Sequence, residues 1–258
     1  MTEPAGTAPG TDATDARRGL PEPRVAGLLL AAGGGRRLGG RPKALLPHRR
    51  RPLVEHAARA LRDGGCEPVH VVLGAAEEEV RARAELPGCV LVGNPQWEAG
   101  MGSSLRAGLA SLSPIALGSP APPRPGASPA PPGSPRATPY GITTGVTAAG
   151  ATAGEVTAVL VALVDQPGVG AEAVARVRAA CHSRTSLAAA AYDGRRGHPV
   201  LFGAAHWAAV AERAAGDQGA RAYLAEHRDA LDLVDCSDIA APDDIDTPGD
   251  LRLLDGGG

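Results

Sequence analysis

Residues 25–43 of this sequence read VAGLLLAAGGGRRLGGRPK, and this stretch decides the fold. It begins with a continuous apolar run, Val25–Ala31, which predicts a buried β-strand, and the run stops at the glycines Gly33–Gly35. Successive glycines let the backbone turn tightly and let its N–H groups approach an anion without a Cβ in the way. Because open α/β sheets bind ligands beyond the carboxyl ends of their strands, we predict a phosphate-binding loop rather than a flexible turn with solvated arginines.

Residue identity excludes the two commonest phosphate-binding motifs from this loop. A Walker A loop needs Ser or Thr after its lysine, whereas Lys43 is followed by Ala44. The dinucleotide motif G-x-G-x-x-G fits Gly33 and Gly35, but Leu38 stands where its third glycine is needed. The loop still presents basic side chains that can donate charge-assisted hydrogen bonds to phosphate: Arg36, Arg37, Arg41 and Lys43.

The loop resembles the signature L-A-A-G-x-S-x-R-x-G-x-x-K of the MobA-like NTP transferases, which include the molybdenum cofactor cytidylyl- and guanylyltransferases. Two departures stand out: Gly35 replaces the usual Ser, and one extra glycine lengthens the spacer before Lys43. The resemblance implies catalytic roles for Arg37 and Lys43. It implies that the nucleotide is bound by Leu30, Ala31, Ala32, Gly33, Gly34, Gly35 and, at the end of the next predicted strand, Gly74.

Two further motifs of the same family point to the substrates. The segment Asn94–Leu105 is similar to N-x-x-W/Y-x-x-G-M-x-x-S, which implies that Ser103 and Ser104 bind substrate; the alternative is a loop capped by Ser103. Gly197-His198-Pro199 resembles the family's G-H-P, which implies that His198 lies near the second substrate. A lone histidine is also compatible with a purely structural role.

Two acidic motifs complete the resemblance. Asp165-Gln166-Pro167 ends an apolar run, as the family's D-x-P does, and residues 244–251 resemble D-I-D-T-P-x-D-L. The resemblance implies that Asp165 and Asp246 bind Mg²⁺, a hard cation that prefers carboxylate and phosphate oxygens. The alternatives are a turn aspartate at Asp165 and a helix-initiating one at Asp246. Thr247 and Asp250 form a predicted capping box at the start of the last helix.

Alternating apolar runs and helical patterns predict an α/β fold. We expect a single Rossmann-like three-layer domain with a mostly parallel sheet, over residues 25–254, of the nucleotide-diphospho-sugar transferase type that the resemblance implies. A helix capped by Ser103 is predicted over Ser103–Leu112, a strand over Val200–Phe202 and a helix over Ala204–Ala214. Residues 1–24 are predicted to be a disordered leader. Residues 113–155, rich in Pro, Ala, Gly, Ser and Thr, are predicted to be a disordered insertion, with a partner-binding arm as the alternative.

Composition narrows the functional class. The net charge of −2 over 258 residues carries no electrostatic signature of a nucleic-acid partner. No apolar run reaches the roughly 18 residues of a membrane span. The cysteines form no C-x-x-C pair, which favours reduced thiols and a cytoplasmic location; they are Cys66, Cys89, Cys181 and Cys236.

The resemblance implies that an NMP unit passes from an NTP to a phosphorylated small-molecule acceptor and that pyrophosphate leaves. The L-A-A-G sequence of residues 30–33 favours CTP and, with it, molybdenum-loaded molybdopterin as the acceptor. Three alternatives remain: another acceptor such as a sugar phosphate or methylerythritol phosphate, a non-catalytic carrier that delivers the cofactor to a molybdenum oxidoreductase, and a Pro-rich scaffold with a decayed enzyme domain.

Overall fold

The computed structural model describes residues 22–113 and 155–255. Its strands are β1 (Val25–Ala31), β2 (Pro47–His48), β3 (Arg51–Pro52), β4 (Val69–Leu73), β5 (Cys89–Gly93), β6 (Ala158–Leu163), β7 (Leu187–Tyr192), β8 (Arg195–Gly203) and β9 (Asp232–Asp235). Its α-helices are α1 (Leu53–Asp63), α2 (Glu77–Arg83), α3 (Met101–Leu112), α4 (Ala171–Arg178), α5 (Trp207–Arg213), α6 (Arg221–Glu226) and α7 (Arg252–Asp255).

One seven-stranded sheet forms the centre of the fold, in the order β5-β4-β1-β6-β8-β7-β9. The strands from β5 to β6 are mutually parallel, and β9 is parallel to β7. Only β8 runs against its two neighbours. The sheet is therefore mostly parallel, as predicted, and the carboxyl ends of β1 and β6 lie side by side at one edge.

Each face of the sheet is covered by helices, so the domain has three layers. Successive residues of β1 alternate between two apolar clusters: Leu29 faces the cluster with α1 and α4, whereas Leu28 faces the cluster with α3, α5 and α6. Both leucines are fully buried, which is why the β1 run contains no polar residue. The predicted three-layer fold is confirmed.

Three local predictions need correction. Helix α3 begins at Met101, after Gly100, so Ser103 lies inside the helix and is not its cap. The strand predicted at Val200–Phe202 extends over Arg195–Gly203 because it pairs with β7 in an antiparallel hairpin. The helix predicted over Ala204–Ala214 begins as a 3-10 turn before α5.

The predicted leader and insertion lie almost wholly outside the described residues. Within the described part of the chain, no helix is both long and apolar enough to cross a membrane.

Candidate active site

A cleft of about 510 Å³ lies at the edge of the sheet where β1 and β6 end. Gly33–Gly35 line it because the glycine loop directly follows β1. Asp165 lines it because it follows β6, the parallel neighbour of β1. The glycine loop and the first acidic motif are therefore brought together by strand order, as ligand sites in open α/β sheets are.

The glycine loop adopts a conformation that only glycine supports at its third position. Gly35 has φ of +60°, and its carbonyl oxygen accepts hydrogen bonds from the backbone N–H groups of Leu38 and Gly40. A Cβ on Gly35 would lie 1.8 Å from the carbonyl oxygen of Arg41. A serine at position 35, which the family usually has, would therefore clash with this backbone, whereas Gly35 does not.

Lys43 joins the two acidic motifs. Its Nζ lies 2.7 Å from Oδ2 of Asp165 and 2.5 Å from Oδ1 of Asp246. The Lys43 side chain is 13% exposed, and that of Asp165 is 19% exposed. Burial on its own lowers the pKa of Lys43, but the charges and hydrogen bonds of the two carboxylates outweigh it and raise the pKa. The lysine is therefore a fully charged cation held between two carboxylates.

Arg37 lies at the rim of the same cluster. Its Nη1 is 3.4 Å from Oδ2 of Asp246, and its side chain is 76% exposed. Such an exposed pair stabilises the fold little, so Arg37 remains available to a ligand in the cleft.

The loop that carries Asp246 is anchored on both sides. The N–H of the fully buried Ile245 donates to the carbonyl of Asp165, at 2.9 Å, which ties this loop to the end of β6. The N–H of Asp246 donates to Oδ2 of Asp250, 3.2 Å away. Asp250 also forms the predicted capping box with Thr247, which is confirmed. These contacts hold the two carboxylates in a fixed relation.

The residues present fit a divalent cation completed by substrate oxygens. Asp165 and Asp246 already contact one ammonium, so one cation can contact both. Within the described residues, no group of three or more His, Cys, Asp or Glu side chains could hold a metal alone. Mg²⁺ commonly binds one or two carboxylates plus substrate phosphates, which matches this donor set.

A second pocket, of about 370 Å³, adjoins the cleft and shares residues with it, among them Met101, Asp217 and Asp244. His198 lines it from β8. Burial lowers the pKa of His198 to about 4, so its imidazole is neutral at pH 7. Its backbone carbonyl accepts a hydrogen bond from the Tyr192 hydroxyl, 2.8 Å away.

The structure brings together most of the predicted site residues, but four lie outside the lining of the cleft, and one of these, His198, lines the second pocket. Ala31 is buried within β1. Gly74 packs beneath the loop, where a Cβ would lie 2.5 Å from that of Trp97 and 2.8 Å from that of Ala32. Ser103 is buried, and its hydroxyl faces the backbone carbonyls of Gln96 and Gly100, each 2.8 Å away. The predicted residues that line the cleft are Leu30, Ala32, Gly33, Gly34, Gly35, Arg37, Lys43, Ser104, Asp165 and Asp246.

Sequence reasoning missed several residues that line the cleft. Asp244 stands in the quoted D-I-D motif, and burial, followed by the charge of Asp165, raises its pKa. Trp97 and Met101 stand in the quoted tryptophan motif, so a signal for these three was present. Asp217 belongs to no motif and reaches the cleft only through the chain's return near α6.

Comparison with known proteins agrees with this geometry. Residues 27–231 match the MobA-like NTP transferase domain. The chain belongs to this family. The predicted resemblance to this family is thereby confirmed, and the membership supports a nucleotidyltransferase. Over 240 residues, covering 90% of this chain and 97% of the relative, it is 38% identical to the nicotine blue oxidoreductase of Paenarthrobacter nicotinovorans.

Solved structures show the same fold. The Rv0371c homologue from Mycobacterium sp. strain JC1 is 29% identical, with a TM-score of 0.65 over 90% of this chain and 96% of that chain. Nucleotidyltransferases of this family use divalent metals. Rv0371c from Mycobacterium tuberculosis H37Rv, solved in complex with manganese, is 25% identical, with a TM-score of 0.59 over 90% of this chain and 97% of that chain. The predicted nucleotide-diphospho-sugar transferase type of fold is confirmed.

Proposed function

We propose that this protein transfers the CMP unit of CTP to the phosphate of molybdenum-loaded molybdopterin and releases pyrophosphate, with Mg²⁺ as cofactor. The observation that carries the proposal is the contact of Lys43 with both Asp165 and Asp246. It concentrates one cation and two carboxylates beside the backbone N–H donors of the glycine loop, which is the charge pattern that a triphosphate and a divalent metal require together.

The glycine loop and Arg37 bind the triphosphate. Backbone N–H groups of Gly33–Gly35 approach its oxygens without Cβ obstruction, and Arg37 supplies charge-assisted donors from the rim. Asp165 and Asp246 would hold Mg²⁺, which would supply positive charge to offset the negative charge around the α-phosphorus. Lys43 lies between these carboxylates and stabilises the same charge.

The acceptor's phosphate attacks the α-phosphorus of CTP. A new bond forms between the acceptor oxygen and the α-phosphorus, the bond to the bridging oxygen breaks, and pyrophosphate leaves with the electron pair. No general base takes part, because a phosphate nucleophile is already ionised at neutral pH. The protein therefore acts by positioning two anions against each other and by neutralising their charge.

Two features favour the substrates named. The L-A-A-G sequence of residues 30–33 is the one that the resemblance associates with cytidylyltransferases, and both Leu30 and Ala32 line the cleft. The second pocket, lined by His198, opens from the same cleft and offers room for a bulky acceptor. Ser104 lies in the lining of the first cleft, where the two substrates meet.

One observation favours a second candidate function. The 38% identical relative bears the name nicotine blue oxidoreductase, so reduction of an aromatic substrate by NADH or NADPH is a competing activity. The loop departs from the dinucleotide motif at Leu38, which disfavours it. A carrier that delivers the cofactor to a molybdenum oxidoreductase is a third candidate. Variants of Asp165 and Asp246 distinguish it from an enzyme, because only an enzyme would lose its activity.

The first test measures pyrophosphate release with each of the four NTPs and Mg²⁺, with and without molybdenum-loaded molybdopterin. Parallel reactions follow NADH and NADPH oxidation with nicotine blue. We expect release only with CTP and the molybdenum-loaded acceptor. Release with another pairing would overturn the named substrates but keep the reaction class. Nicotinamide oxidation without any release would replace the proposal with the reductase.

A further inference from the structure

Two arginines, Arg196 and Arg221, both line the second pocket. Arg196 and Val200 belong to β8 on either side of an irregularity in its pairing with β7, and both line this pocket. Arg221 is the first residue of α6, one turn before Leu224, which lines the same pocket. A residue of the sheet and a residue of a helix thus bring two positive charges to the lining of one pocket.

Neither guanidinium has a carboxylate partner within the described residues. Three other arginines of this half do pair with a carboxylate, namely Arg176, Arg184 and Arg213. Partial burial and then the charge of Arg221 lower the pKa of Arg196. Asp217 and Asp244 line the same pocket, but within the described residues neither forms an ion pair with Arg196 or Arg221. The two guanidinium groups therefore keep donors for an anion.

A buried amide in the same pocket also lacks a partner. Gln166 is 8% exposed, and its Nε2 donates to the carbonyl of Pro242 and to Oδ1 of Asp244. Its Oε1 is buried and has no hydrogen-bond partner. Buried side-chain oxygens are nearly always paired in native proteins, so an orphan oxygen beside a pocket indicates a missing donor.

We propose that Arg196 and Arg221 form an anion subsite for the acceptor, holding a second anionic group distinct from the phosphate that reacts. This inference rests on the proposed function. The two arginines and the proposed metal site belong to different cavities. Arg196 and Arg221 line only the second pocket, whereas Asp165 and Asp246 line only the first cleft. A single phosphate at the reaction centre would leave the arginine pair unused.

The other residues that line the second pocket indicate the chemistry of the rest of the acceptor. Apolar side chains, among them Val200, Phe202 and Leu224, line the same pocket as the two arginines. Gln166 offers an acceptor for an N–H or O–H donor. The pocket therefore fits an elongated molecule with an anionic group at each end and a body that carries a hydrogen-bond donor.

Tungstate is a suitable probe, because it is an electron-dense oxyanion that resembles phosphate in charge and shape. Crystals of the full chain are grown with Mg²⁺ and α,β-methylene-CTP, which occupies the glycine loop, and are then soaked in tungstate. We expect an anomalous peak between Arg196 and Arg221. A peak elsewhere only, or one that persists in the Arg196→Gln/Arg221→Gln double variant, overturns the subsite.

The affinity of the protein for tungstate in solution is the quantitative test. Loss of either charge-assisted contact, in Arg196→Gln or Arg221→Gln, is expected to weaken tungstate binding at least about tenfold. Arg228→Gln, an exposed arginine outside both pockets, is the matched control and keeps wild-type affinity. Equal affinity in all variants contradicts the inference. Arg196→Lys, which keeps the charge but not the fork of donors, is expected to restore part of the binding.

The two proposals fail in different ways. A chain that binds no CTP but holds tungstate at the arginine pair refutes the transferase and retains the subsite. A chain that releases pyrophosphate with the same acceptor KM in Arg196→Gln and Arg221→Gln as in the wild type retains the transferase and refutes the subsite.

Discussion

The ammonium of Lys43 lies 2.7 Å from Oδ2 of Asp165, although 122 positions separate the two residues in the chain. The contact exists because the loops that follow β1 and β6 lie side by side. Lys43 is also the only lysine of a chain with 26 lysine and arginine residues. A compact ammonium, rather than a broad guanidinium, thus occupies the narrow space between two carboxylates.

Replacing Lys43 by Ala is expected to lower turnover by at least about 100-fold, because the lysine stabilises charge that develops in the transition state. The same change frees both carboxylates from a competing cation, so Mn²⁺ without nucleotide is expected to bind more tightly. Steady-state kinetics and Mn²⁺ electron paramagnetic resonance measure the two effects. A variant with full activity would remove Lys43 from the mechanism.

Asp165→Asn and Asp246→Asn are each expected to abolish pyrophosphate release, since each removes a metal ligand. A pure carrier would keep delivering cofactor in both variants. Asp165→Asn is expected to cost more stability, because the less exposed carboxylate leaves the Lys43 ammonium poorly compensated. Pyrophosphate assays and chemical denaturation test both points, with the exposed Asp243→Asn as the matched control. Loss of activity in the control would point to a general charge effect.

The sequence was sufficient for features whose cause is local. The buried run Val25–Ala31 and the glycines after it determine β1 and the loop, and the structure places both as expected. The capping box of Thr247 and Asp250 was also predictable, because its two side chains serve backbone groups within four residues.

The errors arose where distant residues decide the outcome. Ser103 has the chemistry of a helix cap, but the buried amide of Asn94 contacts its hydroxyl. The cap position is instead taken by Gly100, three residues earlier, with φ of +97°. The β7–β8 hairpin did have a local signal, since Asp193-Gly194 is a favourable hairpin pair with φ of +50° and +74°. No local signal indicated that Arg196 and Arg221 line one pocket, because this depends on where α6 returns to the sheet.

Asn94 is expected to be the main structural support of the loop before α3. Its Nδ2 donates to the hydroxyls of Ser103 and Ser104, at 2.9 and 3.0 Å, and its Oδ1 accepts from the N–H of Gln96. Asn94→Ala leaves these buried groups unpaired, at an expected cost of about 2–3 kcal/mol of unfolding free energy.

Ser103→Ala separates a structural from a substrate-binding role for that hydroxyl. We expect it to lower the unfolding free energy by about 1–2 kcal/mol while the KM values for both substrates stay near wild type, since the hydroxyl is buried and paired. Urea denaturation and kinetics provide the measurements, and exposed Ser183→Ala is the matched control. A raised acceptor KM with unchanged stability would restore Ser103 to the substrate site.

His70 is expected to make the fold sensitive to acid. It lies on β4, is 6% exposed, and donates from Nδ1 to the Ser111 hydroxyl 2.7 Å away, since that hydroxyl itself donates to the carbonyl of Gly108. Burial lowers the pKa of His70 to about 4, from an ordinary value of 6.5. Below pH 6.5 the unfolded chain binds a proton that the native state resists, so the native state loses stability as the pH falls from 6.5 to 4.

Because the pKa of His70 falls from 6.5 to about 4 on folding, the native state is expected to lose about 3 kcal/mol of unfolding free energy over this pH range. His70→Asn, which cannot titrate in this range, is expected to be less stable at pH 7 but to show a slope between pH 6.5 and 4 that is smaller by about one proton. His198, whose pKa is also about 4, retains its share of the slope in that variant. Urea denaturation at half-unit pH steps measures the slopes, and the exposed His182→Asn should keep the wild-type slope. An unchanged slope in His70→Asn would mean that His70 is protonated in the folded state, and that its burial does not oppose the charge.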